Sequence, residues 1–379
     1  MINNNAIVQI HVADGLIQAV NHAPIQYTEN RLQLSFEHAI VFPGLINSHD
    51  HLDFNLFSKY GNQLYQNYTE WTNYIHQHHK EEIDAVLKIP ETLRVQWGIY
   101  KNLLCGITTV VNHGKPLNII DPLIDVIQPS RNFHSIQFEK KWKLKINNPF
   151  KNNQPYCIHI GEGIDSLAYK EINQLIKWNF LNKEVIGIHA VAMDRLQSTR
   201  FKALVWCPSS NYFMFDKTAA VNELQPNTSM LFGTDSTLTA DWNIWKHLRL
   251  ARATNLVTDS ELIDMLTVTP TAIWKRNGGL IKEERDADIV IAKTKNNLQG
   301  VYAFYALNPG DILLVIKKGK VKLFDESIKE QLADWGFDIT AFSKINIDNS
   351  VKYVRGNLSA LVDDIQKHNA AVKFPFTVL

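Results

Sequence analysis

Cysteine is scarce: Cys105, Cys157 and Cys207 are the only three in 379 residues. Their odd number and wide separation exclude a disulfide framework and fit a reducing compartment. Charge of one sign is also lacking. Lys+Arg total 39 against Asp+Glu 38, a formal net charge of +1, and no basic or acidic run stands out. Binding to nucleic acid or to a membrane surface through bulk electrostatics is therefore not indicated. No apolar run reaches the roughly 18 residues of a membrane-spanning helix. The start, Met1-Ile2-Asn3-Asn4-Asn5, lacks the basic and apolar regions of a secretory leader. Internal repeats and low-complexity linkers are missing. What is present is an ordinary globular composition, 45% hydrophobic and 20% charged, on a chain long enough for a large barrel and an appended domain. A cytoplasmic protein without nucleic-acid or membrane partners is expected.

The chain changes pattern twice. Short alternating runs near the start, Ala6–Val12 and Leu32–Phe36, read as strands with turns at Asp14-Gly15 and around Asn30. Similar runs return at Ala287–Ala292 and Asp311–Ile316, with a hairpin-like Lys318-Gly319-Lys320. Both chain ends are thus expected to build one small β-domain, residues 1–42 plus 286–325. Between them, apolar strands alternate with amphipathic helices, the mark of parallel α/β architecture. Strands are expected at Leu45–His51, Ile107–Gly114, Phe133–Phe138, Tyr156–Gly161, Val185–Ala190, Ala203–Cys207 and Met230–Thr234, and helices at Glu82–Cys105, Ser166–Leu181 and Trp242–Asn255. Residues 43–285 suffice for a TIM-type (β/α)8 barrel, whose usual size is about 250 residues; an open doubly wound sheet is the competing fold. Residues 114–155 must hold a third and a fourth strand in little chain. Val126-Ile127-Gln128 and Phe133–Ile136 can supply them if the connections are pared to turns, so the barrel is compact on that side. Residues 326–379 read as a C-terminal helical extension, with helical periodicity at Leu358–Ile365.

Polar residues suited to metal or proton chemistry close four of the apolar strands. In Pro43-Gly44-Leu45-Ile46-Asn47-Ser48-His49-Asp50-His51, strand alternation puts His49 and His51 on one face, about 7 Å apart along the chain. Two imidazoles so placed can share a divalent ion, although an isolated His-x-His is equally a surface turn. His159 ends Tyr156-Cys157-Ile158, with Glu162 three residues on, where a carboxylate reaches the substrate side of an ion without ligating it. His189 ends Val185-Ile186-Gly187-Ile188. Asp235 follows Met230-Leu231-Phe232-Gly233-Thr234. Each alone has a structural explanation: a polar strand cap, a hydrogen-bonded core histidine, a helix N-cap. Together they stand where a barrel gathers its strand ends, at its C-terminal face.

At this point the chain resembles the amidohydrolase superfamily, over roughly residues 40–325. The matching pieces are Pro43-Gly44…His49-x-His51, His159-x-x-Glu162, His189, Cys207-Pro208-Ser209-Ser210-Asn211 and Gly233-Thr234-Asp235-Ser236. Thr267–Ala272 and Asp286–Val290 match as well. The resemblance implies a distorted (β/α)8 barrel with a β-sandwich formed from both chain ends. The His-x-x-Glu is similar to the mononuclear branch of cytosine, guanine and triazine deaminases and chlorohydrolases. It also implies a single divalent metal held by His49, His51, His159 and Asp235, with zinc the default and Fe2+ or Mn2+ compatible with the same donors. No lysine stands clearly on the fourth strand to bridge a second ion; Lys140 and Lys141 lie after it.

The chemistry expected of such a site is attack by metal-activated hydroxide on an amidine-like carbon of a nitrogen heterocycle, releasing ammonia. Asp235 takes the water's proton, His189 hydrogen-bonds the reacting oxygen, and Glu162 passes a proton to the ring and the leaving group. Contacts to a flat heterocyclic substrate are sought at His113 and His134 on neighbouring strands, at Asn211, and at Asp53 and Trp71 in the Tyr-rich stretch before Glu82. That stretch reads as a lid. The absence of a basic cluster argues against a phosphorylated substrate. Two alternatives stay open: hydrolysis of a cyclic, imidazolone-like amide at the same site, and a non-catalytic barrel that binds a partner. A homo-oligomer is compatible with the sequence.

Overall fold

A computed structural model describes residues 8–21, 32–149, 154–295 and 298–379. Ala6, Ile7 and the turn around Asn30 lie outside the described residues. The centre is α/β with parallel sheets. One sheet has the strand order Leu45–Asp50, Ile107–Asn112, Asp125–Ile127. The other runs Ser229–Phe232, Ala203–Trp206, Val185–His189, Tyr156–Ile160, Asn132–Ser135. All pairings within both sheets are parallel. Strands such as Ile107-Thr108-Thr109-Val110-Val111 are buried along their whole length, which explains why they read as continuous rather than alternating apolar runs. The amides of Thr234 and Asp235 both donate to His49 O (each 3.1 Å), tying the end of one sheet to the first strand of the other.

The two short strands expected between residues 114 and 155 are Asp125–Ile127 and Asn132–Ser135, joined by four residues without a helix. Among the described residues, only the five-residue helix Trp142–Ile146 precedes the next strand.

An antiparallel sheet flanks this centre, in the order Thr377–Val378, Phe342–Ile347, Ser350–Arg355, Lys320–Asp325, Ile312–Lys317, Ile289–Lys293, Ala39–Pro43. Ala39–Pro43 pairs with Ile289–Lys293, so early and late segments share one sheet. Lys318 and Gly319 (φ 46° and 72°) form the two-residue turn between Ile312–Lys317 and Lys320–Asp325, as the primed hairpin turns require.

Several expectations differ from the structure. Leu32–Phe36 is not a strand, and the strand lies at Ala39–Pro43 instead. The single helix expected over Glu82–Cys105 is two, Lys80–Leu87 and Glu91–Leu104. Pro90 stands between them, and its missing N–H and its ring forbid a continuous turn. The Tyr-rich stretch contains the helix Tyr68–His78, capped by Asn67 Oδ1 accepting from the amides of Thr69 and Glu70 (both 3.0 Å). Residues 326–379 carry the helix Leu358–His368 and also three strands of the antiparallel sheet.

One contact brings helix Glu91–Leu104 close behind the first strand. A Cβ at Gly98 would stand 2.2 Å from Leu52 O, so only glycine lets the helix lie against the 3-10 turn Leu52–Phe54. Among the described residues no helix is long and apolar enough to cross a membrane.

Candidate metal centre

The first strand does not end in regular alternation. Its register against Ile107–Asn112 shifts between Asn47 and Asp50. The bulge brings the His49 and His51 rings to 4.9 Å between centroids, edge to face. From the other sheet, His159 Nε2 lies 3.2 Å from His49 Nε2. Asp235 Oδ1 is 3.6 Å from Nε2 of both His49 and His51. Four donor groups from three strand ends thus face one point, and all four are buried.

These spacings test whether an ion fits. Ligand atoms 2.0–2.1 Å from a tetrahedral zinc lie roughly 3.3 Å from one another. Three of the six edges among the four groups, at 3.2, 3.6 and 3.6 Å, lie near that figure. The protonation states suit it too. Burial, then the neighbouring charge of His49, pushes His51 down to about 3. Burial likewise pushes His159 well below its ordinary value. Both are neutral nitrogen donors at neutral pH. Burial opposes the charge on Asp235, yet its hydrogen bond with His49 and the imidazoles of His189, His49 and His51 hold its carboxyl well below the usual range. Its outer oxygen, Oδ2, accepts from Ser210 Oγ (2.7 Å) and Thr239 Oγ1 (3.1 Å), which leaves Oδ1 turned toward the imidazoles. The donor set fits a divalent cation.

His189 and Glu162 complete the group. His189 Nε2 is 3.4 Å from Glu162 Oε1 and 3.9 Å from Asp235 Oδ2, with no hydrogen-bond partner among the described residues. Burial, followed by the charges of Asp235 and Glu171, raises the Glu162 carboxyl well above the ordinary range, which favours its protonated form. His189 (φ 73°) and Asp235 (φ 58°) both occupy the left-handed region, which costs of order 1–3 kcal/mol for such residues and clusters at functional sites.

Of the five residues sought as substrate contacts, two approach this cluster. The His113 ring stacks on His159 at 4.6 Å, and its buried Nε2 has no partner among the described residues. The His134 ring lies 4.7 Å from that of His159, edge to face. The other three are engaged elsewhere. Asn211 is fully buried: its Oδ1 accepts from His189 Nδ1 (2.9 Å) and its Nδ2 donates to Thr218 (3.1 Å), so it supports His189. Trp71 Nε1 donates to Tyr60 O (2.7 Å). Asp53 faces Arg94, whose Nη1 is 3.8 Å from its carboxylate.

Sequence reasoning missed the residues that hold these groups. Ser210 and Thr239 grip Asp235. Glu171 Oε1 accepts from Gly161 N (2.9 Å) and so fixes the turn before Glu162. The Tyr-rich stretch is clipped to that turn: Tyr68 N donates to Glu162 O (3.1 Å) and Ile164 N to Gln66 O (2.8 Å). The signals available were a glutamate on the buried face of helix Ser166–Trp178 and the place of Ser210 in the matched run Cys207–Asn211.

The amidohydrolase family model matches residues 176–322. No curated protein sequence matches the chain. Among solved structures, the chain is similar to a zinc-bound adenosine deaminase from Xanthomonas campestris, with 15% identity, 96% of this chain and 93% of that one covered, and a TM-score of 0.66. It is also similar to a zinc-bound atrazine chlorohydrolase from Arthrobacter aurescens, at 15% identity, 87% and 94% coverage and a TM-score of 0.66. A guanine-bound guanine deaminase from C. acetobutylicum aligns at 16% identity, 83% and 94% coverage and a TM-score of 0.62. At these identities the likeness is one of fold, and the family match adds a likeness of sequence. The chain thus carries an amidohydrolase sequence match over residues 176–322 and shares the fold of these zinc-bound and heterocycle-bound hydrolases over most of its length.

Proposed function

We propose that the protein is a metal-dependent hydrolase of C–N bonds that removes an amino group, as ammonia, from a flat nitrogen heterocycle. The observation that carries this reading is the approach of His49, His51, His159 and Asp235 from three strand ends, with His49 3.2 Å from His159 and Asp235 3.6 Å from both His49 and His51, beside a buried Glu162 carboxyl whose protonated form burial favours. A divalent ion held by these four side chains, zinc by the donor set, supplies a Lewis acid that makes water nucleophilic at neutral pH. Asp235, ionised, accepts a proton as water adds to the amidine carbon. Glu162, 5% exposed, donates its proton to the adjacent ring nitrogen, takes up the proton of the newly added hydroxyl and passes it to the departing amine, so the C–N bond breaks with ammonia as the product and the proton held by Asp235 restores Glu162. His189, steadied by Asn211, presents Nε2 to the reacting oxygen. His113 and His134 line the approach and are the groups assigned to the substrate's ring.

The same reading treats the parallel strands as a closed (β/α)8 barrel over residues 43–285, with a β-sandwich from residues 1–42 and 286–325 and an extension over 326–379. Three buried free cysteines support a reducing, cytoplasmic setting. The test is ammonia release by the zinc-loaded protein against aminated purines, pyrimidines, pterins and triazines. A turned-over substrate fixes the reaction and its class. Ring opening of a cyclic amide without ammonia assigns the site to amide hydrolysis, and no turnover of either kind by protein with bound zinc contradicts the proposal.

A further inference from the structure

Lys101 has no part in the chemistry above, yet it is buried directly behind it. The residue lies on helix Glu91–Leu104, one turn past Gly98, and its side chain is 1% exposed. Its ammonium donates to Asp50 Oδ2 (3.0 Å), Asn55 Oδ1 (2.8 Å) and Thr234 Oγ1 (3.4 Å), which uses all three protons. Asp50, fully buried, also accepts from Asn55 Nδ2 (2.8 Å), Asn102 Nδ2 (2.8 Å) and Asn47 Nδ2 (3.2 Å). A desolvated ion pair is a poor way to stabilise a fold, because an apolar pair of equal volume does as well. Its position gives it another use.

Asp50 stands between His49 and His51, at the bulge that turns both rings to one point. Asn55 Nδ2 reaches the main chain there as well, donating to His51 O (3.0 Å). On the far side, Thr234 immediately precedes Asp235. Its hydroxyl, which accepts from Lys101 and from Asn47 Nδ2 (2.8 Å), donates to Asp235 O (3.1 Å). Asn47 Oδ1 in turn accepts from Thr234 N (3.1 Å). One network therefore spans the seam between the two parallel sheets and holds the main chain at three of the four proposed ligands. Asp235 stands to gain from such support, since its backbone is left-handed (φ 58°), a region that residues other than glycine, asparagine and aspartate rarely enter.

We propose that Lys101 is a positioning residue for the metal site: through Asp50 it sets the strand end that carries His49 and His51, and through Thr234 it sets the turn that carries Asp235. The proposal rests on the reading of these side chains as metal ligands. Groups that orient ligands from behind govern affinity for the ion, with losses of typically about 10–100-fold when they are removed.

The experiment compares Lys101→Met and Thr234→Val with Lys352→Met in the full-length protein. Lys352 is an equally buried lysine, paired with Asp325 at 2.5 Å in the antiparallel sheet. Zinc affinity is measured by competition with a chromogenic chelator, and thermal melting is measured on the metal-free proteins. Lys101→Met and Thr234→Val are expected to weaken zinc binding about 10–100-fold. Lys352→Met is expected to lower the melting temperature and leave zinc affinity unchanged. If Lys101→Met does not fold, Thr234→Val, which removes one hydroxyl without changing shape, carries the comparison. Zinc affinity within about threefold of wild type in the folded variants overturns the proposal, since oriented ligands are its whole content. Equal loss of affinity in Lys352→Met overturns it too. A wild-type protein that binds no zinc overturns the metal reading and this proposal together, whereas tight binding that the variants leave intact overturns this proposal alone.

Discussion

Replacing Glu171 by Gln is expected to stabilise the protein above neutral pH. Glu171 is 1% exposed, on helix Ser166–Trp178. One carboxylate oxygen accepts from Gly161 N, and the other has no hydrogen-bond partner among the described residues. Burial, which outweighs the Gly161 hydrogen bond, raises the carboxyl from 4.5 to about 7. A folded-state value above the unfolded one means that the fold favours the neutral acid. Its contribution is full below pH 4.5 and is lost as pH rises through about 7. At 1.36 kcal/mol for each pH unit between those values, the loss is about 3 kcal/mol. Glutamine keeps an oxygen for the Gly161 amide and cannot ionise. The assay is urea denaturation of metal-free wild type and Glu171→Gln at about pH 5 and about pH 8. The difference in unfolding free energy between the two proteins should move by about 3 kcal/mol in favour of the variant from the lower pH to the higher. A difference that stays constant to within about 1 kcal/mol refutes the reasoning, because it means that Glu171 ionises in the fold as readily as in the unfolded chain.

Glu162→Gln should lower kcat by about 10²–10⁴-fold while zinc content, measured by metal analysis, stays at the wild-type level, since Glu162 is outside the group of four ligands. Near-normal turnover in that variant removes its role as the acid. Asp235→Ala deletes the one anionic ligand and should purify with zinc far below stoichiometric; a full complement of zinc places the ion elsewhere. Gly233→Ala should cost both stability and zinc. Its Cβ would stand 2.7 Å from His49 Cβ and 2.9 Å from Val205 Cγ1, with overpacking of this kind costing about 1–3 kcal/mol. A melting temperature and zinc affinity equal to wild type would show that the first strand gives way freely.

Parallel strands buried on both faces are legible as apolar runs, and a polar residue that closes such a run stands out. That is why His49, His51, His159, Glu162, His189 and Asp235 could be picked out before any coordinates. What lay in side-chain contacts between distant segments could not. Lys101 reads as one more polar residue in a helix, and its partners Asp50 and Thr234 are set by packing, 51 and 133 residues away. Other signals were present and overlooked. Pro90 marks the break between two helices whose periodicity runs across it. Asp348 and Asn349 (φ 50° and 62°) form a two-residue hairpin turn between Phe342–Ile347 and Ser350–Arg355, in a stretch read as helical. The helix Tyr68–His78 escaped because its polar and aromatic residues blur the apolar stripe. Asn211 and Trp71 were sought at the substrate from their places just past Cys207-Pro208 and in the Tyr-rich stretch, whereas their hydrogen bonds to His189 and Tyr60 turn them inward.

The account stands or falls on whether His49, His51, His159 and Asp235 hold one ion. Anomalous diffraction at the zinc edge from crystals of the zinc-loaded protein tests this directly. One peak per chain is predicted, about 2.0–2.2 Å from the three Nε2 atoms and from Asp235 Oδ1. A peak elsewhere, or none in protein that carries zinc by metal analysis, contradicts it.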